Sequence, residues 1–272
     1  MNFQCIGING FAGDRTTEAM NECHTFVQSF SEHFDFPFEY FGVPSKARDL
    51  PWDHAISESK ATFDIAAVKL KEVINSGGLP ILITPRCATA IASLPVIVES
   101  YPDAVVLYFD AHGDLNTPAT SESGYLGGMP ITAALGEWDS GYGSGLTSEN
   151  LVHIGGRDID PSEQEFIDYN NIMTISKTQI EGDLISFKKR IKGRPIFIHL
   201  DADVYDPSEV TAEYAVDNGL FRRHVRKVVD IVLSEGQLIG LEITELSPKN
   251  NKEREQSYDS LFESFRGLNQ VQ

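Results

Sequence analysis

Short apolar runs alternate with longer amphipathic segments along most of the chain. The runs predict eight strands, at Phe3–Ile8, Phe38–Phe41, Pro80–Thr84, Ala104–Phe109, Leu151–Ile154, Ile172–Ile175, Pro195–Leu200 and Leu238–Ile243. Several are apolar without alternation, which is typical of strands covered on both faces. The amphipathic segments predict helices at Ser57–Asn75, Ala88–Glu99, Pro161–Tyr169, Leu184–Ile191 and Leu220–Leu233. We therefore expect an α/β protein with three layers, α/β/α, and a mostly parallel sheet of about eight strands.

Composition narrows the classes of protein to consider. The 272 residues fit one large α/β domain, and we expect a single domain over residues 1–272. A net charge of −18 argues against binding to nucleic acid or to an anionic membrane surface. Three scattered cysteines, no basic-then-apolar leader and no apolar run of about 20 residues predict a cytoplasmic protein outside the membrane.

Metal-ligand side chains follow two of the predicted strands directly. Asp110, His112 and Asp114 follow the fourth strand, and Asp201 and Asp203 follow the seventh. The i, i+2 spacing lets each set face one side, and buried carboxylates are costly unless a cation balances them. Carboxylates with an imidazole suit Mn²⁺, and five such ligands suit a bridged pair of cations that activates a water. For either set alone, the alternative is a polar loop with capping aspartates.

These residues carry a resemblance to the ureohydrolase (arginase and agmatinase) superfamily of dimanganese amidinohydrolases. Residues 110–114 match its D-A-H-x-D motif, and residues 201–208 match its D-x-D-x-x-D-P-S motif. Residues 154–161 resemble its I-G-x-R-D-x-D-P segment, and residues 240–248 its G-x-D-I-x-E-x-x-P segment, with Glu242 at the position of the aspartate. The resemblance implies an arginase-type sheet and hydrolysis of a guanidino group.

The resemblance also implies which residues hold two Mn²⁺ per chain. Asp110 and Asp201 would bridge the metals, while His112 and Asp203 would complete one site. Asp114 would belong to the other site, and we expect it to stabilise and relay a proton of the attacking hydroxide.

The substrate contacts follow from the same resemblance. Glu245 would hold the guanidinium-like end through charge-assisted hydrogen bonds. Asn116 and Ser123 fall where arginases contact the substrate α-carboxylate, and Asp160, with Glu163, falls where they contact the α-amino group. This set favours an amino acid over agmatine. Ordinary turn chemistry is the alternative for Asn116 and Ser123.

Two departures from the family pattern stand out. Cys87 lies where the family's G-G-D-H motif places a metal-ligand histidine, and we expect a thiolate ligand there. The alternative is a small buried residue at a strand-to-helix turn. Gly127 lies where arginases place a histidine regarded as a proton shuttle, and glycine cannot carry protons. His153 and His199 are substitutes by residue type, but both lie in predicted strands, which favours core roles.

Both departures resemble the branch of the superfamily that hydrolyses Nω-hydroxy-L-arginine, which also has a cysteine at the first motif and Gly-Gly-Met in the loop, as at residues 127–129 here. A hydroxyguanidine is less basic than a guanidine, so a larger fraction is uncharged at neutral pH, and we infer that a metal hydroxide can attack it with less assistance. We therefore predict hydrolysis of Nω-hydroxy-L-arginine to ornithine and hydroxyurea, with L-arginine as a further substrate. The alternatives are another amidine (agmatine, guanidinobutyrate or formiminoglutamate) and a catalytically silent binding protein. The resemblance also implies a homo-oligomer, a trimer or hexamer.

Overall fold

A single eight-stranded sheet organises the computed structural model, which describes residues 2–270. The strands are β1 (Phe3–Ile8), β2 (Phe38–Phe41), β3 (Leu79–Ile83), β4 (Val105–Phe109), β5 (Leu151–Ile154), β6 (Met173–Ile175), β7 (Pro195–Asp201) and β8 (Gln237–Thr244). Their order is β2-β1-β3-β8-β7-β4-β5-β6, and every neighbouring pair is parallel. The eight predicted strands are confirmed, with ends that differ by at most one residue. The predicted domain ends at 1 and 272 lie outside the described residues.

Helices cover both faces of this sheet. They are α1 (Glu18–Phe34), α2 (Trp52–Asn75), α3 (Ala90–Ser100), α4 (Pro130–Leu135), α5 (Pro161–Asn170), α6 (Lys177–Glu181), α7 (Ile185–Ile191), α8 (Arg222–Glu235) and α9 (Asn251–Phe265). The five predicted helices are present with shifted ends. Helix α2 begins directly after Pro51, and α3 begins late because Cys87–Thr89 forms a separate 3-10 turn. The sequence pattern did not predict α1, α4, α6 or α9.

The apolar strands are buried from two sides. Along β4, Val105 and Leu107 pack into a cluster with residues of α1, α8 and α9. The alternate residues Val106 and Tyr108 pack into a second cluster with residues of α3 and α5. This two-sided burial explains why the strand sequence does not alternate between apolar and polar residues. Among residues 2–270, no helix combines the length and apolar character needed to cross a bilayer.

The strand order brings the carboxyl ends of β3, β8, β7 and β4 side by side. Asp110 follows β4, Asp201 ends β7, and Glu245 follows β8. Cys87 follows β3 after a short turn. Parallel strands present their carboxyl ends at one edge, which is where ligands bind in open α/β sheets. The topology therefore brings residues from distant parts of the sequence to one place.

A buried ion pair joins the first and last helices. Glu22 of α1 is 2% exposed, and its carboxylate accepts hydrogen bonds from Arg254 Nε and Nη2 of α9, both at 2.7 Å. The hydroxyl of Tyr258, on the same helix, donates to the same carboxylate. This network joins α9 to α1 through residues more than 230 positions apart in sequence.

We expect Glu22→Ala to lower the free energy of unfolding by about 2 kcal/mol, because it leaves the Arg254 and Tyr258 donors without their acceptor. Urea unfolding followed by circular dichroism measures the change. Glu32→Ala is the matched control, since Glu32 lies on the same helix and its hydrogen bond to Gln28 is at the exposed surface. A control variant that loses as much stability as Glu22→Ala would contradict the assigned role of the pair.

Candidate metal centre and substrate cavity

A cavity of about 250 Å³ opens at the carboxyl edge of the sheet. Ten of the eleven predicted site residues line it: Cys87, His112, Asp114, Asn116, Ser123, Asp160, Glu163, Asp201, Asp203 and Glu245. The eleventh, Asp110, is 1% exposed and contacts His112, which does line the cavity. The structure therefore brings the predicted site residues together around one space.

The candidate ligand atoms form overlapping groups. Cys87, Asp110 and Asp114 each place one ligand atom within 4.8 Å of the others, and Asp110, His112 and Asp203 do the same. Asp110 belongs to both groups, as a bridging carboxylate would. A third group joins Cys87, Asp201 and Glu245, so Asp201 lies on the Cys87 side of the centre.

Backbone N–H groups pair with only some of the carboxylate oxygens in this centre. Asp110 Oδ1 accepts the His112 N–H at 2.7 Å, and Asp201 Oδ1 accepts the Asp203 N–H at 2.7 Å. Asp110 Oδ2, however, is buried and has no hydrogen-bond partner among the described residues. Because an unpaired buried carboxylate oxygen is costly, this atom fits a cation and not a purely structural cap.

The electrostatics of the centre also call for a cation. Burial and the neighbouring Asp203 raise the pKa of Asp110 to about 6, and burial and Asp110 raise the pKa of Asp114 well above its usual value. Burial and Asp203 raise the pKa of Asp201 in the same way. Burial opposes charge on His112, but hydrogen bonds to Asp110 and Asp203 outweigh it and raise the imidazole pKa to about 12. The crowded carboxylates therefore favour a positive charge beside them, and a bound metal ion would supply that charge.

Cys87 is 2% exposed and begins the 3-10 turn after β3. Its sulfur lies 2.8 Å from Asp201 Oδ2 and 2.9 Å from Thr244 Oγ1. Burial and Asp201 raise the thiol pKa well above its usual value. A thiolate at this position therefore depends on a cation beside it, because a bound cation reverses the local preference for the protonated form.

The two histidines considered as substitutes for a proton shuttle lie in the strands, as predicted. His199 is fully buried, with Nδ1 3.0 Å from Glu242 Oε2 and Nε2 3.3 Å from the sulfur of Cys87. His153 is 1% exposed, and its Nε2 has no hydrogen-bond partner among residues 2–270. Neither imidazole lines the main cavity, in agreement with the core roles predicted for both.

Glu245 is paired with a buried arginine, Arg86, that was not predicted from the sequence to be a site residue. Glu245 Oε2 accepts from Arg86 Nη1 at 2.6 Å, and Oε1 accepts the Cys87 N–H at 3.0 Å. Arg86 is fully buried and also pairs with Asp14 at 2.9 Å and with Glu213 at 2.5 Å. Burial raises the pKa of Glu245 to about 7 against the opposing charge of Arg86. The carboxylate therefore faces the cavity with one internal partner on each oxygen.

Two of the predicted catalytic residues adopt an unusual backbone conformation. Asp114 has φ 52° and Glu245 has φ 63°, in the left-handed region that residues other than glycine seldom occupy. Such strain is retained where the surrounding structure enforces it, often at functional sites. Tyr108 helps to hold Asp114 in place, because its hydroxyl donates to Asp114 Oδ2 at 2.6 Å.

Residues predicted to bind the amino-acid end of the substrate are hydrogen-bonded to one another along one side of the cavity. Asn116 Nδ2 donates to Asp160 Oδ2 at 2.9 Å. Glu163 accepts the N–H of Asp160 at 2.9 Å and the N–H of Leu115 at 3.0 Å, which fixes the start of α5. Asn116 and Asp160 thus present a paired amide and carboxylate, while Glu163 acts as a support.

Ser123 lies in the exposed loop opposite. Its hydroxyl accepts the N–H of Tyr125 at 3.2 Å, which is ordinary turn chemistry. Its carbonyl accepts from Arg15 Nη2 at 3.2 Å. Arg15 therefore places a positive charge at the cavity beside the residue predicted to contact an α-carboxylate.

The loop around Gly127 is packed against a tyrosine. A Cβ added to Gly127 would lie 2.4 Å from Cε1 of Tyr125 and 2.9 Å from its Cζ. The phenol ring thus fills the space that a side chain at position 127 would enter. Tyr125 and Tyr214 line the cavity with Arg15, and the sequence pattern indicated a role for none of the three.

Known proteins share sequence with this chain over most of its length. The family model described as the arginase family matches residues 11–261. The chain is 34% identical over 245 residues to the N(omega)-hydroxy-L-arginine amidinohydrolase of Streptomyces lavendulae, with 90% of this chain and 89% of that protein covered. It is 30% identical to human arginase-1 over 243 residues, covering 83% of this chain and 74% of that one.

Solved structures show the same fold. The arginase of Bacillus subtilis aligns with a TM-score of 0.83 at 23% identity, covering 98% of this chain and 99% of that one. The Entamoeba histolytica arginase in complex with L-ornithine aligns with a TM-score of 0.85 at 19% identity, covering 98% and 97%. From the family match over most of its length, together with the shared fold and the site at the sheet edge, the chain belongs to the arginase family of amidino C–N hydrolases.

Proposed function

We propose that this protein is a dimanganese amidinohydrolase that converts Nω-hydroxy-L-arginine and water to ornithine and hydroxyurea. The observation that carries the proposal is the pair of ligand groups that share Asp110 beside a cavity closed by Glu245. The similarity to a hydroxyarginine amidinohydrolase over 90% of the chain supports the substrate. L-Arginine is proposed as a poorer substrate of the same site.

The proposed metal ligands are six side chains at the carboxyl ends of three strands: Cys87, Asp110, His112, Asp114, Asp201 and Asp203. When bound, two Mn²⁺ would polarise the substrate and lower the pKa of a water molecule. Asp110 Oδ2 has no hydrogen-bond partner among residues 2–270 and would be available to a cation. Asp114 is held by the hydroxyl of Tyr108 and lines the cavity, which suits it to accept a proton during attack.

Glu245 can accept hydrogen bonds from the guanidine-like end of the substrate. Each of its oxygens already accepts one bond in the protein, from Arg86 Nη1 at 2.6 Å and from the Cys87 N–H at 3.0 Å. Because Asp14 and Glu213 also pair with Arg86, the charge of the arginine is balanced, and the carboxylate can take a hydroxyguanidine or a guanidinium.

The alternatives differ in substrate or in chemistry. A ureohydrolase acting on agmatine, guanidinobutyrate or formiminoglutamate would not need the full pocket around Asn116, Asp160 and Glu163. A catalytically silent binding protein would be motivated by Cys87 and Gly127. Against it stands the cost of a buried aspartate oxygen without any partner.

The proposal also covers the setting of the protein. We propose one catalytic domain in the reducing cytoplasm, where the three unpaired cysteines Cys5, Cys23 and Cys87 would persist. Assembly into a trimer or hexamer remains a prediction from the family resemblance, and light scattering of the purified chain measures it.

We expect purified protein loaded with Mn²⁺ to contain close to two metal ions per chain and to release ornithine from Nω-hydroxy-L-arginine faster than from L-arginine. Metal analysis and an ornithine assay over a panel with agmatine and guanidinobutyrate measure this. Equal turnover of L-arginine would contradict the proposed substrate. Absence of bound metal would support the silent relative.

We expect Cys87→Ser to remove the thiolate-to-metal charge-transfer absorption of the Co²⁺-substituted protein and to weaken metal binding by about 10-fold or more. The spectrum reports ligation independently of activity. Cys23→Ala is the matched control, because Cys23 is buried and bonds to the Ile8 and Ile83 carbonyls at 3.5 and 3.6 Å. An unchanged band in Cys87→Ser would show that the sulfur is not a ligand.

We expect Asp160→Ala to raise the KM for hydroxyarginine by about 10–100-fold, because a charge-assisted hydrogen bond to the α-amino group is lost. Competition by the des-amino analogue of arginine is the control, since this ligand has no amino group to lose. The assignment fails if the variant weakens both ligands to the same extent, which would mean that Asp160 only shapes the wall through Asn116.

A further inference from the structure

The phenol hydroxyl of Tyr125 lies in the main cavity, close to the phenol of Tyr214. The hydroxyl oxygen of Tyr125 is buried and makes no hydrogen bond of acceptable geometry among residues 2–270. Its ring lines the same cavity as Asp114 and Glu245. Buried hydroxyls are almost always hydrogen-bonded, because leaving one unpaired loses the free energy of its contact with water. The atom is therefore available to a ligand in the cavity.

The ring that carries this hydroxyl is fixed in place. The guanidinium carbon of Arg15 lies 4.7 Å from its centroid, in a cation–π contact. The ring of Tyr214 lies 5.5 Å away at an interplanar angle of 53°. The backbone of Gly127 closes the third side, because a Cβ there would be only 3.1 Å from the hydroxyl oxygen. Tyr125 is thus positioned before any ligand enters.

The protonation state of the phenol defines what it offers. Burial and the negative charge of Glu245 raise the pKa of Tyr125 well above its usual value. The phenol therefore stays protonated at neutral pH. It offers one O–H donor and an acceptor oxygen, and it does not carry protons as a histidine would.

We propose that the Tyr125 hydroxyl binds the N-hydroxyl group of the substrate and so selects a hydroxyguanidine over a guanidine. This inference rests on the proposed function and names the residue that discriminates. A hydroxyguanidine differs from a guanidine by one oxygen, which is the atom that a lone phenol can recognise. A guanidine leaves the phenol unpaired, and a site built to bond a hydroxyl discriminates strongly against ligands that lack it.

The test is Tyr125→Phe in the full-length protein loaded with Mn²⁺. The substitution removes one oxygen and keeps the ring that Arg15 and Tyr214 hold, so folding is preserved. We expect the ratio of kcat/KM for Nω-hydroxy-L-arginine to that for L-arginine to fall at least about tenfold, with the hydroxyarginine value carrying the loss. Tyr142→Phe is the control, because the Tyr142 hydroxyl bonds to Asp64 at 3.0 Å outside the cavity. That variant should keep the wild-type ratio.

Equilibrium binding separates this inference from the proposed function. Calorimetry of the same proteins should show tighter binding of hydroxyarginine than of arginine in wild type, and loss of that preference in Tyr125→Phe. Binding with this preference but no ornithine release would overturn the proposed function and leave the Tyr125 contact supported. An equal loss for both ligands, an unchanged ratio, or no wild-type preference would overturn the inference about Tyr125.

Discussion

Crowding of carboxylates at the edge of four parallel strands is the constraint on which this structure depends. Asp110, Asp114, Asp201 and Asp203 lie within one buried centre. Burial and neighbouring negative charge raise the pKa of Asp110, Asp114 and Asp201. The protein meets this in two ways. Backbone N–H groups bond to one oxygen of Asp110 and of Asp201, and the remaining oxygens are directed at shared positions. A cation is the partner that satisfies both the geometry and the charge.

The fold and the grouping of the candidate ligands could be predicted from sequence because both depend on local signals. A strand covered on two faces is an uninterrupted apolar run, and a motif at its end inherits the position of the strand end. Helix α1 also carries a regular apolar face, with Phe26, Val27, Phe30 and Phe34 buried, and its periodicity could have predicted it. Helix α9 could not be recognised so easily. It is strongly polar, and it is held by an ion pair to Glu22 that only the folded chain brings together.

The charge partners of the site were inaccessible for the same physical reason. Nothing local in the sequence indicates that Arg86 contacts Glu245, 159 positions away, together with Asp14 and Glu213. The left-handed backbone at Asp114 and Glu245 is likewise enforced by packing around them and not by their residue type. Motif matching identifies which side chains meet, whereas the tertiary contacts determine which of their atoms remain free for a ligand. For Glu245 that distinction matters, because each of its oxygens already has a partner in the protein.

The glycine at position 127 is explained by the side chain of Tyr125 beside it. A side chain at 127 and the ring of Tyr125 cannot occupy the same space, since a Cβ at 127 would already overlap the ring at 2.4 Å. Glycine at position 127 therefore leaves room for the ring of Tyr125. In place of the imidazole expected from the family pattern, the site has a buried phenol hydroxyl. An imidazole can take up and release protons near neutral pH, whereas this phenol can only donate or accept a hydrogen bond. A site changed in this way has less capacity for proton transfer and more for hydrogen bonding, which is the balance that the proposed hydroxyguanidine substrate would require.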